Sequence, residues 1–81
     1  MGILSKKVGK RIRELREKQN IKQYELAEML EMEPSNLTRI ENGYQMPKED
    51  NISKIANCLG ILEKDLFDFD ENLSKEELIE K

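Results

Sequence analysis

Residues 23–43 read QYELAEMLEMEPSNLTRIENG, and their spacing decides the fold. Leu26, Ala27 and Leu30 mark a short helix over 23–30. Glu31 to Glu33 make a tight turn. Pro34 suits the first position of a following helix, where its missing N–H costs nothing. Leu37 and Ile40 give that helix, 34–41, its core stripe, and Asn42-Gly43 stops it. Two short helices joined through so tight a turn cross at a steep angle. Ala27 has to be small where the backbones approach, and Leu30, Met32, Leu37 and Ile40 fill the angle. The face left outward on 34–41 carries Pro34, Ser35, Asn36, Thr38 and Arg39.

Working outward from this pair, Val8, Ile12 and Leu15 recur at i, i+4 and i+7, the stripe of an amphipathic helix over 6–18. Ser5 is its candidate N-cap, and Gln19-Asn20 ends it. Pro47 opens a fourth helix whose core face is Ile52, Ile55, Ala56 and Leu59, and Gly60 terminates it at C′. Leu66 and Phe67 belong to a brief fifth helix over 63–68. Strict alternation is absent and β-branched residues are few, so the expected class is all-α, five short helices around one core. The domain is expected over 1–68, followed by an acidic tail over 69–81. In that tail Ser74 to Glu77 has the pattern of a capping box before Leu78 and Ile79. A short sixth helix there is marginal in isolation.

Length and composition exclude several classes. Eighty-one residues make one domain with a small core, in which an enclosed substrate cavity is hard to build. Histidine is absent and Cys58 is the single cysteine, so a zinc site lacks donors and general acid–base chemistry lacks its commonest group. No metal, cofactor or small-molecule ligand is expected, and neither is an enzyme. No apolar run reaches the roughly 18 residues that span a bilayer, and the N-terminus does not read as a signal peptide. A cytoplasmic protein without a membrane partner is expected. The net charge of −3 argues against a polyanionic partner until its distribution is read. Residues 1–24 carry eight basic residues against two acidic, net +6, and residues 49–81 carry four lysines against ten acidic residues, net −6. Such asymmetry marks a domain with one anion-facing side.

The chain resembles the Cro and lambda-repressor class of helix-turn-helix proteins, the xenobiotic-response-element family of transcriptional regulators. Four blocks in order carry the resemblance: Gly9 to Arg16, Gln23 to Leu30, Leu37 to Gly43 with Pro47, and Ile55 to Gly60 with Leu66 and Phe67. The resemblance implies a lambda-repressor-like fold with the helix-turn-helix at helices 2 and 3. It also implies a sequence-specific regulator, most simply a repressor, that reads double-stranded DNA in the major groove with helix 3. Pro34, Ser35, Asn36, Thr38 and Arg39 are then the base-reading candidates. Arg39 can bond guanine O6 and N7 together, Asn36 can do the same for adenine N6 and N7, and Thr38 alternatively faces a phosphate. Gln23, Asn42 and Tyr44 match positions that contact phosphate, and Lys10, Arg13, Lys22 and Lys48 are further phosphate candidates. Arg16 and Glu41 match a structural ion pair. Members usually bind inverted repeats as dimers, so a homodimer on DNA is expected, with Phe67, Phe69, Leu73, Leu78 and Ile79 as candidate contacts.

The sequence departs from the family pattern at three helix starts, where Lys22, Glu33 and Leu62 replace the usual capping Ser or Thr; each lost cap is worth about 1 kcal/mol. Glu31 stands where a turn glycine is common, and a positive φ there carries roughly 1–2 kcal/mol of strain. A protein-interaction module, such as an antitoxin-like partner using the same fold, is the alternative function. An apolar outward face on helix 3 would favour it, and the polar residues found there favour DNA.

Overall fold

The computed structural model describes residues 2–69. Four α-helices follow one another: α1 (Ile3–Lys18), α2 (Gln23–Met29), α3 (Pro34–Glu41) and α4 (Glu49–Leu59). A 3-10 helix, Glu63–Phe67, closes the described chain, and the described residues contain no strand. The expected fifth α-helix is therefore corrected to a 3-10 turn. Its bonds run from Asp65 N to the Leu62 carbonyl (2.9 Å) and from Asp68 N to the Asp65 carbonyl (3.3 Å). Five residues held by one buried anchor, Leu66, gain little from continuing as an α-helix. The expected sixth helix lies outside the described residues.

Two helix starts also differ from expectation. α1 begins at Ile3 with Gly2 as an extended N-cap, so Ser5 sits inside the helix rather than capping it. No residue in 3–5 breaks a helix, and propagation is favourable once the helix exists. α4 begins at Glu49, not Pro47; Lys48 is its extended N-cap, and Glu49 and Asp50 complement the dipole in the first turn.

All four helices stop in one way. Just past each of them a residue is left-handed, with φ of 59° at Asn20, 56° at Glu31, 83° at Gly43 and 68° at Gly60. The amide of the next residue then reaches back to close the end: Ile21 to the Arg16 carbonyl, Met32 to Ala27, Tyr44 to Arg39 and Ile61 to Ala56, at 2.9–3.1 Å. This is the Schellman motif four times over, and it satisfies carbonyls the helix ends would leave orphaned.

The core is Val8 and Ile12 of α1, Leu26, Ala27 and Leu30 around α2, Leu37 and Ile40 of α3, Ile55, Ala56 and Leu59 of α4, and Leu66. α1 packs against α3, α4 and the 3-10 helix, while α2 packs on α3. Helices α1 and α3 come close at Gly9, where a Cβ would collide with the backbone carbonyls of Ile40 and Glu41. Gly9 thus lets α1 lie directly against the end of α3.

Candidate nucleic-acid interface

α3 is divided lengthwise. Leu37, Ile40 and Glu41 are buried; Pro34, Ser35 and Arg39 are exposed, and Asn36 and Thr38 are half-buried. The division follows from the helical repeat, because 37, 40 and 41 share a face that 35 and 39 do not.

The buried edge is polar at one end. Glu41, with its side chain fully out of solvent, accepts Arg16 Nε at 2.8 Å and Arg16 Nη2 at 3.1 Å, a bidentate pair between α1 and α3. Arg16 Nη1 also donates to the Ile21 carbonyl at 2.8 Å, so one guanidinium ties α1, α3 and the turn before α2. The hydrogen bond to Glu41, against a smaller desolvation effect, raises the Arg16 pKa above its ordinary value. Arg13 Nε approaches Glu41 Oε1 at 3.6 Å from the solvent side. Gln23 Nε2 donates to Glu41 Oε1 at 3.0 Å, and Gln23 Oε1 accepts the Thr38 hydroxyl at 3.0 Å. The same hydroxyl lies 3.0 Å from the Pro34 carbonyl, so its single proton is shared between two acceptors. No buried side-chain nitrogen or oxygen among the described residues lacks a partner.

The outward residues are differently placed. Arg39 and Ser35 make no side-chain hydrogen bond or ion pair with any described residue, so both present free donors. Asn36 is held, because its Oδ1 accepts Gln45 Nε2 at 3.1 Å. Among the phosphate candidates, Lys10, Lys22, Asn42, Tyr44 and Lys48 are exposed. Asn42 is also the last residue before the left-handed Gly43, its amide bonded to the Thr38 carbonyl at 2.9 Å. Gln23 and Arg13 each turn one donor toward Glu41 instead, Gln23 through Nε2 and Arg13 through Nε.

Two features have no counterpart in the sequence reading. Gln45 was not among the candidates; it follows α3 in a loop with no periodicity, nine residues from its partner. At the helix starts, Glu25 accepts the Lys22 amide at 2.7 Å and Asp65 accepts the Leu62 amide at 3.0 Å. Each forms the return half of a capping box without a capping side chain. That spacing is readable in the sequence, and it makes these starts less bare than the missing Ser or Thr suggests.

Of the candidate dimer contacts, Phe67 is 38% exposed and Phe69 is half-buried. Their rings meet edge-on at 6.4 Å, with Lys7 Nζ 5.6 Å from the Phe69 ring centre. Leu73, Leu78 and Ile79 lie outside the described residues. Cys58 is free and half-buried. No helix of the described residues is long and apolar enough to cross a membrane.

Residues 12–66 match the family model described as Helix-turn-helix. Control protein C.BamHI of Bacillus amyloliquefaciens is 37% identical over 62 residues, covering 75% of this chain and 76% of that protein. The restriction-modification controller protein C.AhdI of Aeromonas hydrophila superposes with a TM-score of 0.73 at 32% identity, covering 76% of this chain and 94% of that one. The clp gene regulator ClgR of Corynebacterium glutamicum reaches a TM-score of 0.78 at 23% identity, over 82% of this chain and 70% of that one, a likeness of fold alone.

Proposed function

Because the chain belongs to the helix-turn-helix family of xenobiotic-response-element regulators, and is a DNA-binding regulator of transcription rather than an enzyme, we propose that it reads specific double-stranded DNA with the outward face of α3. One observation carries this reading: the helix is pinned on its inner edge while Arg39 and Ser35 stand exposed with free donors on its outer edge. A rigid element presenting free donors suits the major groove, where each base pair offers its own pattern of acceptors and donors. Arg39 is the leading base contact, toward guanine O6 and N7, with Asn36 and Ser35 beside it and Pro34 against a thymine methyl.

Register and affinity come from phosphate contacts around that helix. Lys22, Tyr44, Asn42, Lys10 and Lys48 are the exposed donors for this role. Gln23, Arg13 and Thr38 contribute by switching a bond from the Glu41 network to the DNA. Residues 1–68 form the DNA-binding unit. A homodimer on an inverted repeat pairs two such units through the region of Phe67 and Phe69 and the tail beyond it. Repression is the proposed action, because occupancy alone excludes polymerase from an overlapping promoter. The two relatives above 30% identity are named for control, one of them of restriction-modification, and this supports control of a restriction-modification gene pair in the cytoplasm.

Selection of bound duplexes from a random pool tests the reading. Enrichment of an inverted repeat with half-sites about one helical turn apart supports it. A folded protein that enriches nothing favours the protein-interaction alternative. Sedimentation over a dilution series checks the dimer, and a monomer at high micromolar concentration counts against the Phe67–Phe69 contact.

A further inference from the structure

We propose that Lys6 is a phosphate anchor at the C-terminal end of α3, set there by Gly43; this rests on α3 being the DNA-reading element. Gly43 is buried although its neighbours Asn42 and Tyr44 are exposed. The three atoms nearest to a Cβ added at Gly43 all belong to Lys6: Cγ at 2.7 Å, Cα at 2.8 Å and Cβ at 3.2 Å. The missing side chain therefore admits the lysine stem, as the φ of 83° admits the turn. A lysine lays its methylenes along such a surface and keeps its ammonium in water. Lys6 is exposed, and its ammonium bonds no described residue; nor does the Asn42 amide or the Tyr44 hydroxyl. Free donors thus stand around one glycine at the end of α3.

The rest of α1 lies the same way. Gly9, one turn on from Lys6, faces the Ile40 and Glu41 carbonyls, and Arg13, a turn beyond, approaches Glu41 Oε1 at 3.6 Å. Lys6, Gly9 and Arg13 stand at i, i+3 and i+7, so one line of α1 runs along the end of α3. Beside that line Lys6, Lys10 and Arg13, at i, i+4 and i+7, form an exposed basic stripe. Like charges one turn apart weaken a helix, and the first turn of α1 holds no acid to balance Lys6. A phosphate strand alongside offsets that repulsion. The strand that meets Asn42 and Tyr44 also meets Lys6, and α1 carries it on toward Lys10.

Binding of wild type, Lys6→Met and Lys6→Arg to the selected duplex, over a range of salt concentrations, tests this. Lys6→Met keeps the stem on Gly43 and removes only the charge, so thermal melts should show it folded. Its plot of log affinity against log salt should be shallower by about 0.9, the slope of one phosphate contact. The loss should be the same factor on selected and unrelated duplexes, with base preferences kept, and Lys6→Arg should restore the slope. Neutral methylphosphonates placed one at a time along the duplex then locate the contact. One position that weakens wild type should have no effect on Lys6→Met, and it should be the phosphate silenced by Tyr44→Phe or its immediate neighbour. A folded Lys6→Met with the wild-type slope and every phosphate sensitivity intact overturns the proposal and leaves base reading by α3 standing. A silenced phosphate far from that of Tyr44 overturns the placement by Gly43. If wild type selects no duplex, base reading by α3 fails, and the salt slope on random-sequence DNA still decides for or against Lys6.

Discussion

The two long edges of α3 face opposite demands, and the contrast explains what each residue type does there. On the inner edge Glu41 meets Arg16, Gln23 and Arg13, and every buried side-chain polar atom among the described residues has a partner within the fold. On the outer edge the Arg39 and Ser35 side chains use none of their hydrogen-bonding capacity on described residues. A buried carboxylate needs its partners because its desolvation is otherwise uncompensated. A reading surface needs the reverse, since a donor already satisfied has little to offer a base. Substitutions on the inner edge should therefore appear in stability, and those on the outer edge in binding.

The largest effect is expected from Glu41→Ala. It strands the Arg16 guanidinium in a buried site, and a loss of about 3–5 kcal/mol should appear in denaturant or thermal melts. Arg16→Ala should fall in the same range, at its lower end, because Arg13 already stands 3.6 Å from Glu41 and can move in. A melt unchanged in either variant breaks the contrast from the inner side. Gly9→Ala comes next: the new methyl meets the Ile40 and Glu41 carbonyls, and α1 must back away from α3. About 1–3 kcal/mol of stability should be lost.

On the outer edge, Arg39→Ala should leave the melt within about 0.5 kcal/mol of wild type. Its binding to the selected duplex should weaken by about 1–3 kcal/mol, with preference relaxed at one base position. Equal loss on all duplexes, measured by fluorescence anisotropy, would make Arg39 a phosphate contact instead. The smallest effect tests the turn between α2 and α3. Glu31 holds a φ of 56°, so Glu31→Gly should raise stability by up to about 1 kcal/mol without changing the base preferences. A destabilised Glu31→Gly in the same melts would mean that the glutamate side chain contributes more than its backbone strain costs.

Much of this arrangement could be read in the residues, for identifiable reasons. α3 runs from Pro34 to Glu41 as expected, because a proline suited to N1 and an Asn-Gly stop bracket a clear apolar stripe. The left-handed positions at Asn20, Gly43 and Gly60 fall where residue type permits them. Glu31 was legible only as a departure from a family habit. The Arg16–Glu41 pair joins positions 25 apart, and no local pattern links them; the resemblance alone did. Gln45 bonding Asn36, and Glu25 reaching back to the Lys22 amide, depend on where side chains lie after folding. Of these, only the second left a trace in spacing. The expected α1 cap at Ser5 missed because nothing in 3–5 breaks a helix, so α1 extends back to Ile3, and the expected α4 start at Pro47 missed because Lys48 takes the extended N-cap position ahead of Glu49 and Asp50.

Nuclear magnetic resonance titration of labelled protein with the selected duplex tests the division of α3 most directly. Side-chain and backbone signals of Ser35, Asn36 and Arg39 should move most. Lys22 and Tyr44 should follow, and Arg16 should stay in place with its bidentate bond to Glu41 intact. Shifts centred on the outer face of α1 or on the 3-10 helix, with α3 silent, would contradict it.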